Sequence, residues 1–436
     1  MTDGYQDVPD SFCLLPWVNL SIDVDGTSRP CCKYEREQPD SSYSFANLRN
    51  TPLRDVWNSD AMQQLRSDFL AGEKPAGCSA CWDEESAGIR SFRQTYLDDR
   101  RISSRPDPND LTPTTPVALD LKLSNACNLK CRICGPVASS LWLNEELKHA
   151  SEGSATQTYL DQNKRYFLSN KITKDLHSSD ELRRWAPHIE SLEMTGGEPM
   201  LAPENREIIG AITEHGRPEQ VTLTLTTNGA VIDERVMAAL PRFGEVVISL
   251  SIDDIGRRLE YQRMPAKWAE VDENLDRYKA LASPTCQVFT NATISTLNVW
   301  YLPEYLAWIH ERFPNGEIQP NLNLVHNPRH YCIQVLPAPL KDVVYRRLKD
   351  AQTGPWAEHI QAKVHDIAGF LMSADEDDDD QWWKSIRTTT DRDQIRGEKF
   401  ETAHPEWHAV IDRLGYWDRP GRPVSLSRRL WPKIKR

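Results

Sequence analysis

The chain has 436 residues, ten cysteines and a formal net charge of −12 at pH 7. This length is sufficient for two or three domains with a sizeable core, and the acidic balance argues against a general nucleic-acid-binding surface. No apolar run is long enough to span a membrane, and the polar start of the chain is not typical of a signal peptide, so we expect a cytoplasmic protein. In that reducing compartment, clustered cysteines indicate metal binding rather than disulfides.

The first hundred residues combine a hairpin, a helix and several cysteines. Residues 17–24 have the pattern of a strand, and Asp25-Gly26 is a hairpin turn signal. A helix is predicted over 52–72, and a CxxC pair follows it at 78–81. Together these elements could supply four thiolates to one site. The cysteines of this region are Cys13, Cys31, Cys32, Cys78 and Cys81.

Cys127, Cys131 and Cys134 then follow in the pattern CxxxCxxC. Three thiolates this close together can hold a cuboidal 4Fe–4S cluster by three corners, whereas such clusters ordinarily take four cysteine ligands. The remaining iron is then open to a small molecule. A zinc site is the alternative, but structural zinc usually has paired CxxC units, and none flanks this triad.

Six strand-like segments run through the middle of the chain, and helix-like stretches such as 203–215 and 300–313 separate several of them. This alternation predicts parallel βα units and therefore an α/β fold. Several strands alternate polar and apolar residues, so each has one polar face. If these βα units curve into a barrel, a lumen packed as core would be apolar. We therefore expect the polar strand faces to line a lumen that binds polar ligands. The six segments are 117–124, 189–195, 220–228, 245–253, 287–296 and 317–326.

The second of these segments ends in Thr195-Gly196-Gly197-Glu198-Pro199. Glycines let backbone carbonyls approach a ligand closely, and a carboxylate is a suitable partner for an ammonium group. By itself the motif is a weak signal, because glycines are common where a strand turns into a loop. Its position after the cysteine triad makes it strong support for a cofactor site.

The triad and the Gly-Gly-Glu motif together resemble the radical S-adenosylmethionine (SAM) superfamily. The resemblance implies a partial (β/α)6 TIM-like barrel, a 4Fe–4S cluster on the triad, and reductive cleavage of SAM to a 5′-deoxyadenosyl radical. Ile133 stands where many members have an aromatic residue, so the packing against the adenine must differ. The SAM-binding residues that the resemblance implies are Gly196, Gly197, Glu198, Pro199, Ser249, Ser251, Asp253 and Arg263.

The N-terminal cysteines resemble those of the twitch domain, a shorter relative of the SPASM domain that binds an auxiliary 4Fe–4S cluster. The resemblance implies that the ligands are Cys13, Cys31, Cys78 and Cys81, with an exchange of roles between Cys31 and Cys32 left open. A zinc knuckle on the same four thiols is the alternative. A twitch domain usually follows the barrel, whereas here it precedes it.

We therefore predict three parts of the chain. Residues 1–110 form the twitch or SPASM-like domain, 111–335 the radical SAM barrel, and 336–436 a helical extension with a basic tail.

The C-terminal third holds weaker signals. The segment 326–332 follows the sixth strand, and its two histidines and Cys332 are candidates for substrate contact, with a structural role as the alternative. Helical patterns run over 340–372. The acidic run at 375–380 is expected to be a solvated loop, and the basic tail at 419–436 a disordered or surface-lying segment.

The resemblance, together with the polar strand faces, implies an enzyme that abstracts a hydrogen atom from a polar, sugar-like or aminocyclitol-like substrate. Oxidation or epimerisation would follow, with the auxiliary cluster as an electron relay and a reductant such as flavodoxin or ferredoxin as partner. Cys286 and Cys332 are candidate hydrogen donors for an epimerisation, and a buried inert thiol is the alternative for each. Two other hypotheses stay open: a maturase of a ribosomally made peptide or protein, and a non-enzymatic, zinc-stabilised binding module.

Overall fold

The structure, a computed structural model, describes residues 8–35, 43–86, 90–97, 102–150, 157–158, 160–161, 180–373 and 378–418. The chain divides into two compact units. The first consists of Met1–Cys127, Lys164–Thr227 and Ile232–Val247, and the second of Asn128–Asn163, Asn228–Val231 and Ile248–Arg436. The predicted basic tail at 419–436 lies outside the described residues.

The described strands are β1 (Asn19–Ile22), β2 (Ser28–Arg29), β3 (Ala118–Leu121), β4 (Ser191–Met194), β5 (Thr222–Thr227), β6 (Glu245–Leu250), β7 (Cys286–Ile294) and β8 (Gln319–Leu324). They form one mostly parallel sheet in the order β2-β1-β3-β4-β5-β6-β7-β8. Strands β3 to β8 are the six segments that the alternating pattern predicted, so the α/β fold class is confirmed.

The N-terminal hairpin belongs to this sheet. Strand β1 pairs in parallel with β3, with Asn19 opposite Ala118 and Ile22 opposite Leu121. It pairs antiparallel with β2. Gly26 has φ +82°, which is the left-handed conformation that the predicted hairpin turn requires. The region that carries the N-terminal cysteines is therefore continuous with the first strand of the predicted barrel through backbone hydrogen bonds.

The described helices are α1 (Leu15–Val18), α2 (Leu53–Trp57), α3 (Asp60–Leu70), α4 (Ser79–Ser86), α5 (Phe92–Leu97), α6 (Ser140–His149), α7 (Asp180–Trp185), α8 (Pro203–His215), α9 (Glu234–Ala239), α10 (Gly256–Gln262), α11 (Trp268–Lys279), α12 (Leu302–Arg312), α13 (Ala338–Ala351), α14 (Glu358–Met372), α15 (Asp379–Arg396), α16 (Phe400–Ala403) and α17 (Pro405–Arg413). The predicted helix over 203–215 is α8. The single helix expected over 52–72 is instead two helices, α2 and α3, with Ser59 as the N-cap of the second. The described helices of the final third include α13 to α17, as expected for a helical C-terminal region.

Strands β6 and β7 alternate between buried and half-buried or exposed residues, as predicted, whereas β3 is buried on both faces. In β7, Val288, Ala292 and Ile294 are at most 3% exposed, whereas Asn291 and Thr293 are only half-buried. Burying each large apolar side chain contributes about 1.5–3 kcal/mol to stability. The polar face of this strand therefore remains available for hydrogen bonds to a ligand.

The acidic run corrects one expectation. Asp379 and Asp380 are not loop residues but the first residues of α15, and Asp378 is the N-cap. Carboxylates near a helix N-terminus are stabilised by the helix dipole. The rest of the run, 375–377, lies outside the described residues.

His330, in the segment after β8, makes stability depend on pH. Its side chain is buried, and neither ring nitrogen has a hydrogen-bond partner among the residues that the structure describes. Burial, with a smaller effect of Lys384, lowers its pKa from 6.5 to about 4. Because the folded-state pKa is depressed, stability is fully present above pH 6.5 and is lost as the pH falls towards 4.

We expect His330→Phe to remove this part of the acid destabilisation in the apoprotein. The slope of unfolding free energy against pH between 6.5 and 4 should fall by up to about 1.4 kcal/mol per pH unit. Urea denaturation across this range measures it. His326→Phe is the control, because His326 is exposed. Equal slopes in wild type and His330→Phe would contradict the burial of a neutral imidazole.

Candidate cluster and SAM sites

Four cysteines line one cavity in the first unit. Cys13 lies before α1, Cys31 follows the β1–β2 hairpin, and Cys78 and Cys81 lie at the beginning of α4. Four thiols around one cavity are the donor set of a fully ligated 4Fe–4S cluster, so the residues present fit that group. Among the described residues, no three His, Cys, Asp or Glu side chains are arranged to hold a single metal ion. The other residues lining the cavity are Leu15, Lys33, Tyr34, Phe69, Phe92 and Arg93.

The cavity wall depends on a glycine next to the CxxC pair. A Cβ on Gly77 would lie 2.2 Å from the ring of Tyr34, so only glycine lets this ring pack beside Cys78. Burial raises the pKa of the Cys13, Cys31 and Cys78 thiols, and the neighbouring thiols raise it further. The iron of a bound cluster would offset that cost, since thiolates rather than thiols bind metal.

The structure separates the neighbouring residues Cys31 and Cys32. Cys31 lines the cavity and interacts electrostatically with Cys13. Cys32 interacts instead with Asp120 and Glu193, and burial followed by these two carboxylates raises its pKa to about 11. Cys31 is therefore the better ligand candidate of the two.

The Gly-Gly-Glu motif follows β4 and packs against the residues that precede Cys127. The N–H of Gly197 donates to the Ser124 carbonyl at 2.9 Å. A Cβ on Gly197 would lie 2.3 Å from the Ala126 carbonyl oxygen, and Gly196 has φ +115°. The glycines therefore let two backbones approach each other, where the sequence had suggested only the approach of a ligand.

Glu198 is fixed within the first unit. It is 1% exposed, and its Oε1 accepts hydrogen bonds from the Thr227 hydroxyl at 2.6 Å and the Met200 N–H at 3.0 Å. Its own N–H donates to the Ala126 carbonyl at 2.8 Å. Pro199 is buried beside it. The carboxylate predicted to bind the SAM amino group is thus held in one orientation by its neighbours.

In the second unit, Arg263 lies beside the predicted cluster ligand Cys131. Its Nη2 pairs with Asp253 Oδ2 at 2.7 Å, and its Nη1 is 3.7 Å from Cys131 Sγ. Burial by itself lowers the pKa of Arg263, but Asp253 and Cys131 raise it above its ordinary value. The Nε is buried and has no hydrogen-bond partner within the described part of the chain. This remaining donor fits an anionic group such as the SAM carboxylate.

Asp253 follows β6 and is already occupied by protein partners. Besides Arg263, its carboxylate accepts the Thr293 N–H at 2.9 Å. Ser249 near the end of β6 and Ser251 directly after it are both half-buried. The two serines are thus better placed than Asp253 for the predicted ribose contact.

Cys127, Cys131 and Cys134 lie on the loop between β3 and α6 and are all half-buried. The Cys134 N–H donates to the Cys131 carbonyl at 3.0 Å, which closes a turn between these two cysteines. Burial raises the pKa of Cys134. Cys127 belongs to the first unit and the other two to the second, so their assignment to one cluster rests on the CxxxCxxC spacing.

The two candidate hydrogen donors are poorly placed. Cys286 is the first residue of β7 and lies on its buried side, whereas ligands of parallel sheets bind at the carboxyl ends of strands. Cys332 is 0% exposed, and its Sγ is 3.3 Å from Arg329 Nη1. Burial of both thiols agrees better with the inert alternative.

Sequence reasoning missed a polar row in the first unit. The sheet register aligns Ser21 with Asp120, Asp120 with Glu193, and Glu193 with Thr224. Ser21 Oγ donates to Asp120 Oδ2 at 2.7 Å. Burial raises the pKa of Asp120. Alternation within each strand was visible in the sequence, but the alignment of these residues depends on strand register.

Two family models match the chain. Residues 121–309 match the Radical SAM superfamily, and residues 13–82 match SPASM, an iron–sulfur cluster-binding domain. The chain belongs to the radical SAM superfamily. Its SPASM domain precedes the radical SAM region, and the two domains imply 4Fe–4S clusters and SAM as cofactors. No described helix has both the length and the apolar character needed to cross a membrane.

Among curated proteins, this radical SAM chain is similar to GTP 3′,8-cyclase of Brucella abortus (strain S19). Identity is 28% over 162 residues, which are 34% of this chain and 46% of that enzyme. GTP 3′,8-cyclase of Brucella suis biovar 1 gives the same values. The chain thus spans about half the length of the curated relatives that it matches.

Two solved structures are also similar. One is native anSMEcpe with bound AdoMet and Cp18Cys peptide, at 16% identity and a TM-score of 0.32, covering 52% of this chain and 56% of that one. The other is Streptococcus suis SuiB bound to precursor peptide SuiA, at 14% identity and a TM-score of 0.31, covering 76% of this chain and 64% of that one. TM-scores this low support no inference about substrate.

The adjacent cysteines provide a matched test of the auxiliary site. We expect Cys31→Ser to reduce the iron content from about eight to about four atoms per chain, the loss of one 4Fe–4S cluster of two. Cys32→Ser should leave the content near that of wild type. Iron and sulfide analysis of anaerobically reconstituted protein measures both. An equal loss in the two variants would contradict the assignment of Cys31.

The close approach at Gly197 can be tested against a second glycine. Gly197→Ala should destabilise the apoprotein by about 1–3 kcal/mol, because a backbone must move to admit the methyl group. Gly210→Ala in α8 is the control, since its Cβ would meet nothing within 4 Å. That variant should be more stable by about 0.5–1 kcal/mol. Urea midpoints measure both changes, and a wild-type midpoint for Gly197→Ala would refute the role given to this residue.

Proposed function

We propose that this radical SAM enzyme modifies a polar segment of a ribosomally made peptide or protein. When bound, a reduced cluster would cleave SAM to methionine and a 5′-deoxyadenosyl radical, which is the chemistry needed to abstract a hydrogen atom from a substrate. A reductant such as flavodoxin or ferredoxin would deliver the electron. The chain's own contribution is to bind and orient the substrate, and a group of carboxamides on β7 and β8 is the observation that supports a peptide most directly.

The carboxamides lie on the accessible face of two paired strands. Asn291 of β7 is opposite Asn321 of β8, and Asn321 Nδ2 donates to Asn291 Oδ1 at 3.3 Å. Asn323 donates to the same oxygen. Both β8 asparagines are exposed. Successive same-face residues on a strand are about 6.8 Å apart, the repeat of an extended peptide, and a carboxamide donates and accepts hydrogen bonds as a backbone amide does.

The same face is uncharged. Its positions along the described residues of β7 and β8 are Gln287, Phe289, Asn291, Thr293, Gln319, Asn321 and Asn323. Phosphate groups are bound by arginines, lysines and helix N-termini. A neutral amide surface therefore favours the binding of a peptide backbone over that of a nucleoside triphosphate.

A second candidate is a sugar or aminocyclitol substrate that is oxidised or epimerised. The polar row of the first unit favours it, because Asp120 and Glu193 could pair with an amino group or accept hydrogen bonds from hydroxyls. An epimerisation would need a thiol as hydrogen donor. Cys32, half-buried and close to both carboxylates, is better placed for that role than Cys286 or Cys332.

The radical SAM activity has a direct test. Reduced, reconstituted enzyme with SAM should release 5′-deoxyadenosine, and Cys131→Ala should abolish the release. Absence of product from the wild type under several reductants would refute the activity.

The substrate class is tested with deuterium-labelled candidate substrates, by measuring the transfer of deuterium from the substrate into 5′-deoxyadenosine. Peptides encoded beside the gene are compared with a panel of sugars and aminocyclitols. With a peptide substrate, Asn321→Ala/Asn323→Ala should raise KM about tenfold or more, from hydrogen bonds worth about 1 kcal/mol each. Gln287→Ala, at the amino end of the same face, is the control. Transfer from a sugar with loss in Asp120→Asn would favour the second candidate instead.

A further inference from the structure

Arg132 lies between the second and third cysteines of the triad, yet it contacts the C-terminal third. It is 2% exposed, and its Nη2 pairs with Asp393 Oδ1 at 2.5 Å and Glu398 Oε2 at 2.8 Å. Its Nη1 donates to the Thr389 carbonyl at 3.3 Å, and its Nε to the Tyr261 carbonyl at 3.1 Å. The guanidinium also lies over the Tyr261 ring, 3.5 Å from its centre. Every edge of this side chain is thus engaged within the second unit.

The acceptor Asp393 is itself fixed by further donors. Its Oδ1 accepts from the Tyr261 hydroxyl at 2.8 Å, and its Oδ2 from the Phe400 N–H at 2.7 Å. Buried ion pairs are weak contributors to stability, because desolvation of the charges offsets most of their attraction. Their geometry is nevertheless demanding. A role in setting one loop conformation therefore accounts for this network better than stability does.

Helix α15 also packs against Trp142, a residue of α6 that is hydrogen-bonded to the same loop. Trp142 Nε1 donates to the Cys131 carbonyl at 2.6 Å. The guanidinium groups of Arg392 and Arg396, both from α15, lie 4.2 and 5.0 Å from the Trp142 ring centre. Both arginines also pair with Glu145, at 3.2 and 2.9 Å. The residue that holds the Cys131 backbone is thus packed against two cations of the C-terminal helix.

Backbone hydrogen bonds set the loop against the residues after α10. The N–H of Lys130 donates to the Met264 carbonyl at 2.7 Å, and that of Arg132 to the Gln262 carbonyl at 2.8 Å. Arg263 lies between these two acceptors and contacts the sulfur of the second cysteine. A shift of the loop would therefore change the position of that sulfur relative to the Arg263 guanidinium.

From these contacts we infer that Arg132 is a positioning residue for the cluster loop, residues 128–134. By binding the loop to Asp393 and Glu398, it fixes the second and third cysteines against Arg263. The C-terminal region then contributes to the SAM-binding site by holding the cluster loop in one position. The inference rests on the proposed role of the triad as ligands of the SAM-binding cluster. Residues that orient metal ligands typically change affinity or activity by about 10- to 100-fold when replaced.

The test separates positioning from stability by removing the charges together. Arg132→Met/Asp393→Asn/Glu398→Gln leaves no unpaired buried charge in this network, so its melting temperature should stay near that of wild type. Anaerobically reconstituted holoenzyme is titrated with SAM, and the SAM-dependent change of the EPR spectrum reports binding at the open iron. We expect the variant to bind SAM about 10- to 100-fold more weakly, with shifted g-values and an unchanged iron content.

Two comparison variants accompany the test. Arg132→Lys keeps the charge but not the forked geometry, so its SAM affinity should be intermediate. The control is Arg347→Met/Glu304→Gln, far from the cysteine loop in sequence. Arg347 Nε donates to the Trp300 carbonyl at 2.8 Å, its guanidinium lies 4.6 Å from the Trp300 ring centre, and its Nη2 pairs with Glu304. The control should keep the wild-type SAM affinity and g-values.

The outcomes are distinct. Wild-type SAM affinity and g-values in the triple variant would overturn the positioning role, and so would an equal loss in the Arg347 control. If the triple variant does not fold, Asp393→Asn alone replaces it, with an expected weakening of about tenfold. A wild-type holoenzyme without any SAM-dependent EPR change would instead refute the proposed function itself, and the inference with it.

Discussion

A contact between two stretches of backbone in the first unit fixes the residues that lead into Cys127. The chain that leaves β4 passes so close to residues 124–126 that a methyl group on Gly197 would overlap the Ala126 carbonyl. Hydrogen bonds from Gly197 and Glu198 to that segment hold the two together. Cys127 follows directly, so the position of its backbone depends on this contact. The carboxylate of Glu198 depends on it as well, since the same turn directs it towards Thr227.

The parallel pairing of β1 with β3 has a similar effect on the auxiliary site. Because β1 is hydrogen-bonded along its length to β3, the SPASM region is attached to the sheet at defined register. Cys31 and Cys32 follow that hairpin, and their neighbouring side chains turn to different surroundings. Cys31 lines the four-thiol cavity, whereas Cys32 interacts with the carboxylates of the polar row. One hairpin thus contributes to a cluster site and to a polar surface.

Buried charge is concentrated around the loop that follows Cys127. Arg132, Arg263, Arg392 and Arg396 are all buried, and each is paired with a carboxylate. A buried cation without a partner would be very unfavourable, so these pairs restrict the loop to arrangements that keep every charge matched. This restriction keeps the second and third cysteines of the triad at a fixed position relative to Arg263. It also explains why helices so distant in sequence are packed onto this loop.

The sequence by itself determined the cysteine chemistry, the six βα units and the fold class. These are local properties, because spacing within CxxxCxxC and alternation within a strand are visible in short stretches of chain. Only the tertiary structure decided which residues those patterns meet. Three pairings join segments far apart in the chain: β1 with β3, Asp120 with Glu193, and Arg132 with Asp393. The burial of Cys286 likewise depends on packing between distant segments. Register and packing between distant segments follow from the burial of whole faces and the matching of charges, and no local pattern records them.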